Sequence, residues 1–147
     1  MRKMIVTMTC ALALMAADNA FVGTWERNAA KSKPDPSAEK IQKQTLTYSM
    51  NGGVLTAVVM VDGKQTTSPT MYDGQEHDAT STGALGYTQS IATAKGNTLE
   101  TVFKRDGKIV GTRKGTLSSD GRTMTTTNSG TKPDGGKYHS VVVFDKQ

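Results

Sequence analysis

Beyond residue 20 no long stretch of the chain repeats its apolar residues at a helical spacing; apolar and polar positions alternate in short runs instead. In TLETVFKR (98–105), Leu99, Thr101 and Phe103 fall on one face and Glu100, Val102 and Lys104 on the other. In KIVGTRKGTLS (108–118), Ile109, Gly111, Arg113, Gly115 and Leu117 share a face, and in YHSVVVFD (138–145) Tyr138, Ser140, Val142 and Phe144 do. A period of two is the signature of strands. The runs are separated by MNGG (50–53), VDGK (61–64), YDGQ (72–75), AKGN (94–97), RDGK (105–108), SSDGR (118–122) and PDGGK (133–137). Asn-Gly and Asp-Gly supply the positive φ angles of tight hairpins, and their recurrence marks an all-β meander rather than βαβ units.

The pattern predicts eight to ten strands, at about 21–27, 42–50, 54–61, 65–71, 75–80, 87–94, 98–105, 108–118, 122–129 and 137–145. Sequential hairpins favour an antiparallel up-and-down arrangement, and closing it into a barrel removes the exposed edges. Gly111 and Gly115 within a strand predict bends or bulges of the kind a curved sheet needs. DPSAEKIQK (35–43) reads either as one or two helical turns or as a loop. A barrel of this size is wide enough inside for one small ligand.

The only Trp, Trp25, stands in AFVGTWERN at the start of the first strand, two residues after Gly23. A closed barrel is open at that end. Gly23 and Trp25 are therefore the candidates for barrel closure, the glycine allowing close approach and the indole filling the opening.

The first residues change the picture of where this barrel works. MRKMIVTMTCALALMAADNA begins with Arg2 and Lys3, continues with an apolar run to about Ala17 and ends in small residues. That is the layout of a secretory signal peptide, too short to span a bilayer comfortably. The expected organisation is a signal peptide at 1–17, cleaved after Ala16 or Ala17, and a single domain at 20–147. The location is periplasmic or extracellular, with no stable membrane anchor after cleavage. The competing readings are lipid attachment at Cys10, a buried helix and an uncleaved anchor. Cys10 is the one cysteine, so the cleaved chain has no disulfide, thiol nucleophile or Cys-based metal site. Net charge falls from +5 to +3 without Arg2 and Lys3, and the basic residues are interleaved with acidic ones. That balance describes a solvated surface, and aromatics at 5% give few stacking platforms, so no nucleic-acid partner is expected.

FVGTWERNAAKS (21–32) resembles the first strand of the calycins, the lipocalin and fatty-acid-binding-protein superfamily. There a Phe-x-Gly-x-Trp start packs its Trp across one end of a barrel. MYDGQEHDATS (71–81) is similar to the mid-barrel Gly-Gln-Glu-x-Asp segment of fatty-acid-binding proteins, and residues 96–127 to their late hairpins. More closely, the chain resembles small exported bacterial proteins called lipocalin-like, with a Gly-Thr-Trp-x-x-Asn-x-x-Lys-Ser-Lys start before a Thr-rich meander. The resemblance covers nearly all of 20–147 and implies a lipocalin-like barrel with an interior ligand. Two features depart from it. Fatty-acid-binding proteins carry Arg-x-Tyr on the last strand as a carboxylate clamp, whereas this chain has Val142, Val143 and Phe144. Their helix-turn-helix lid has no counterpart in 29–43. The resemblance therefore implies a ligand that is neutral or held by another group.

His77 and His139 are the only histidines. Two His with a carboxylate can bind a metal, and one His can hold haem iron. Adjacent strand residues point to opposite faces, so Glu76 and Asp78 do not converge with His77, and surface or hydrogen-bonded histidine is the expected state of both. No Gly-x-Ser-x-Gly or phosphate-binding loop occurs, and the carboxylates mostly occupy turns. Arg113 has three readings: stacked over Trp25, turned into the cavity onto a polar ligand head, or exposed. Tyr48, Tyr87, Phe103, Tyr138 and Phe144 are core fillers or, with Arg113, the ligand-binding set. The expectation is a monomeric, non-enzymatic carrier of a small apolar or amphipathic molecule, with no cofactor and no metal. The alternatives are a filled-core barrel that contacts an envelope protein or glycan, and a haem protein or enzyme built on His77 or His139.

Overall fold

A computed structural model describes residues 19–38 and 40–147, and the signal peptide expected at 1–17, with Cys10, lies outside them. Local turn chemistry builds the sheet. Asp106 and Gly107 both adopt positive φ, 52° and 74°, and Asp62 and Gly63 do the same at 48° and 81°. Two successive positive φ values reverse a chain with the twist that neighbouring strands share.

The strands are β1 (Gly23–Arg27), β2 (Gln44–Asn51), β3 (Val54–Val61), β4 (Lys64–Gln65), β5 (Thr70–Met71), β6 (Glu76–Asp78), β7 (Gln89–Lys95), β8 (Thr98–Arg105), β9 (Lys108–Leu117), β10 (Thr123–Thr131) and β11 (Lys137–Lys146). β3 and β8 have the expected bounds. The strand expected at 65–71 is interrupted: β4 and β5 both pair with β3 and together make one broken leg, so the meander has ten legs. Every paired strand is antiparallel in one continuous sheet, ordered β4-β3-β2-β1-β11-β10-β9-β8-β7-β6. First and last strands join, with Trp25 opposite Lys146 and Arg27 opposite Phe144.

The sheet curls until its two free edges meet in mid-chain. There the seam is thin: a Thr67–Ser81 bridge, and backbone bonds from Ser68 N–H to the Thr80 carbonyl (3.1 Å) and from Gly74 N–H to the Ala92 carbonyl (2.9 Å). The described part of 35–43 forms turns and no helix. Pro34 and Pro36 restrict their predecessors and withhold two N–H donors from any helical ladder there. A register shift between Phe103 and Lys104 also takes Ile109 off the face it was expected to share, leaving it 66% exposed. Gly111 and Leu117 of the same strand stay buried.

One end of the barrel is packed solid. Phe21, Trp25, Leu46, Leu117, Met124 and Phe144 meet there, with Trp25 fully buried. The Trp25 indole N–H donates to the Phe21 carbonyl at 2.8 Å, so burying the ring strands no donor. Across its face lies the ammonium of Lys146, 5.4 Å from the ring centre, which also donates to the Ala20 carbonyl at 3.1 Å. The cation over Trp25 is thus Lys146, and the stacking reading of Arg113 is corrected. Gly23 makes this possible: its φ is 133°, and a Cβ there would sit 3.0 Å from Lys146 Cε. Tyr48 belongs to the same packed cluster, tilted against Phe21 and Tyr72 with ring centres 6.0 and 6.1 Å away. Burial pushes its phenol well above the ordinary tyrosine range.

Trp25→Ala should cost about 3–5 kcal/mol by removing a fully buried indole. The expected result is a lower urea midpoint with an unchanged slope in equilibrium unfolding.

Candidate functional site

Above the packed floor the inward side chains become smaller and more polar. One row crosses four strands in register: Thr101, Arg113, Asn128 and Ser140. The Arg113 Nε–H donates to Asn128 Oδ1 at 2.7 Å, and the Asn128 amide donates to Ser140 Oγ at 3.2 Å. The Arg113 guanidinium carbon lies 5.3 Å from the centre of the Phe103 ring. Its inward neighbours along β9 are Gly111 and Gly115, which present no side chain to compete for the space.

Arg27 is the second cation of the interior. It lies two residues beyond Trp25, so the strand period turns it to the same face. Its Nε is fully buried and has no hydrogen-bond partner. The ion pairs among the described residues are His77–Asp73 and Lys104–Glu76, so neither Arg27 nor Arg113 has a described carboxylate within reach.

Both arginines border a cavity of about 430 Å³ that opens at the end away from Trp25. Its apolar wall is made by Val59, Val61, Tyr87, Phe103, Tyr138 and Val142, and Gln44, Asn128 and Ser140 supply polar groups besides the arginines. That volume and mixture suit a small-molecule site, for which roughly 300–1,000 Å³ is usual.

Two irregular segments frame the mouth. The first, residues 28–43, contributes Pro34, Ala38 and Ile41 to the rim. It is stitched to β11 by reciprocal backbone bonds between Lys33 and Val141, at 2.7 and 2.9 Å. Its main fastener is Asp35. That carboxylate accepts from the Ser37 hydroxyl and N–H and from the His139 N–H, at 2.5, 2.9 and 2.7 Å. These bonds, the Ser37 hydroxyl foremost, hold the Asp35 carboxyl down at about 2.

The second segment, residues 79–88, is pinned by Leu85. Gly111 and Gly130 face each other across β9 and β10 and leave a gap in the sheet. Leu85 fills it: a Cβ on Gly111 or on Gly130 would lie 2.7 Å from one of its methyls. Arg105 donates to the Leu85 carbonyl at 2.5 Å, and Leu85, Tyr87 and Phe103 form a second apolar cluster. The Tyr87 and Phe103 rings are 4.3 Å apart.

Of the residues singled out in the sequence, the cavity brings together Tyr87, Phe103, Arg113 and Tyr138. Tyr48 and Phe144 lie instead in the packed half, because their strand positions fall nearer Trp25. His77 Nε2 sits 2.8 Å from Asp73 Oδ2, and His139 Nδ1 sits 3.0 Å from Ser129 Oγ; neither ring borders the cavity. Among the described residues no three His, Cys, Asp or Glu are placed to hold a metal ion. The sequence reading passed over Arg27, Asn128 and Ser140. For Arg27 a signal was available, its two-residue spacing from Trp25.

This geometry has clear counterparts among solved structures. The chain's fold is shared with solved lipid- and fatty-acid-binding proteins. A zebrafish ileal bile acid-binding protein complexed with cholic acid superposes with a TM-score of 0.61 at 17% identity, over 88% of this chain and 100% of that one. Lipid binding protein 8 of Caenorhabditis elegans gives 0.65 at 11% identity, over 90% and 99%. A fatty-acid-binding protein from Drosophila melanogaster brain gives 0.59 at 19% identity, over 85% and 98%. No family model matches the sequence. No curated protein matches it either.

Two outcomes follow from the way this mouth is held. Asp35 has a depressed carboxyl, so its stabilising contribution is full above the ordinary carboxylate value and is lost as pH falls from about 4 through about 2. Thermal unfolding from pH 5 to pH 2 should therefore show the wild type losing its advantage over Asp35→Asn in that window. Gly111→Val should drive into Leu85 and into the Ser129 carbonyl, 2.7 and 2.8 Å from a Cβ there, at a cost of about 1–3 kcal/mol or more. It should also open residues 79–88 to limited proteolysis before the rest of the barrel.

Proposed function

We propose that this protein is an exported, non-catalytic carrier that holds one small, partly apolar molecule inside its barrel. The observation that carries the reading is the cavity itself. It combines a floor sealed by Trp25, a wall of valines and aromatic rings, a few convergent polar groups and a mouth framed by irregular chain. Burial of the apolar part supplies affinity, and the polar groups orient the ligand. The solved structures named above are, by their own names, binders of bile acid, lipid and fatty acid, which favours an amphipathic ligand here. Export rests on the layout of residues 1–17, with its basic start and apolar run. The histidines support the non-catalytic reading, since each is engaged with a neighbour outside the cavity.

The neutral, environment-sensitive dye Nile red should bind the purified protein and brighten. Val61→Trp, which places a large ring at the mouth, should weaken that binding about tenfold, equivalent to about 1.4 kcal/mol, with an unchanged far-UV spectrum. Failure of the dye to bind the wild type would favour the filled-core alternative. Intact-mass measurement of the protein recovered from the cell envelope should show residues lost through Ala16 or Ala17, and native mass spectrometry of the same sample should reveal any retained ligand.

A further inference from the structure

The cavity takes up only part of the barrel, and its lower boundary, on the Trp25 side, is uneven. On β1, β2 and β11 the first inward residues below it are large: Trp25, Leu46 and Phe144. On β3, β9 and β10 they are small: Ala57, Gly115 and Thr126. Small residues in a curved wall leave volume unless a side chain from elsewhere reaches into it, because interiors are close-packed. Tyr48 is that side chain. It stands on β2 opposite Ala57. Its hydroxyl ends 4.0 Å from Met124 Sδ on β10, three strands away around the sheet. The same sulfur lies 3.7 Å from the place a Gly115 Cβ would take. Burial pushes the Tyr48 phenol up, and Arg113, which borders the cavity, is near enough for its charge to pull the other way. The ring therefore crosses the interior as a bar between the packed half and the cavity. A thioether is a weak acceptor, so the position uses the length of the ring rather than its hydroxyl.

We propose that Tyr48 sets the depth of the cavity and thereby limits the cargo to a compact molecule, shutting out the tail of a long-chain one. This inference rests on the carrier reading above and adds a size limit and the residue that imposes it. The cavity has a volume of about 430 Å³ and opens at one end, with the bar at the other. A longer ligand gains affinity only until it meets the ring. Each CH₂ buried before that point tightens binding about fourfold. Each one added after it stays in water at the mouth and contributes nothing.

The test displaces Nile red with straight-chain primary alcohols from hexanol to tetradecanol, a neutral series that differs only in length. In the wild type each added carbon should tighten binding about fourfold at first, and the gain should stop within the series. Tyr48→Ala opens space beneath the cavity and should carry the gain on to longer alcohols. Tyr48→Phe, which keeps the ring, should keep the wild-type limit. Where Tyr48→Ala loses the wild-type far-UV spectrum, Tyr48→Leu is the milder truncation and should move the limit the same way. A gain that continues undiminished through tetradecanol in the wild type would overturn the assignment. So would a limit left unmoved in the folded truncation variant. Either result leaves the carrier reading intact. Failure of the wild type to bind Nile red at all would sink the carrier reading, and the size limit with it.

Discussion

The burial of one indole sets the terms for everything above it. Trp25 sits on β1, the strand that joins β2 on one side and β11 on the other, so its ring lies where the two halves of the curled sheet meet. With Phe21 beneath it and Lys146 across its face, it closes one end of the barrel with the largest side chain the chain possesses. A single large ring fills a barrel end without the entropy cost of ordering several smaller flexible chains. The floor sealed this way, the cavity has no opening past Trp25.

Size grading along the barrel axis then makes the cavity. Inward positions near the floor carry Leu46, Leu117, Met124 and Phe144, whereas those toward the mouth carry Gly111, Asn128 and Ser140. Small residues in a curved wall leave volume, and close packing keeps that volume only where something else occupies it. At Gly111 and Gly130 the occupant is Leu85, brought in by the segment that frames the mouth. The same glycine pair that opens the wall thereby anchors the rim. The Asp35 carboxylate does the matching service on the opposite side, by saturating itself with donors from Ser37 and His139.

Electrostatics divides the two ends. At the floor the cation is the exposed Lys146, which rests on the indole and bonds a backbone carbonyl. Inside the cavity Arg27 and Arg113, both half-buried, meet no described carboxylate. The chain lacks the last-strand arginine of the fatty-acid-binding proteins, yet places positive charge in its interior from two other strands.

Much of the fold was legible in the residues alone. Strands with a period of two, Asp-Gly turns with positive φ and the Gly-x-Trp start are local properties, determined by sterics within a few residues, and they placed β3 and β8 to the residue and Trp25 on the floor. The break between β4 and β5 and the bulge that exposes Ile109 were not legible, because both depend on how far the sheet must bend to bring its edges together. The site divides the same way. Tyr87, Phe103, Arg113 and Tyr138 could be nominated from their strand faces, but the sequence could not separate them from Tyr48 and Phe144, whose height in the barrel differs. The sequence by itself determined which side of each strand looks inward. Only the tertiary structure decided which inward residues share the cavity: the register of β9, β10 and β11 sets positions 113, 128 and 140 in one row, while the pairing of β1 with β11 sets Arg27 opposite Phe144, where the packed half gives way to the cavity.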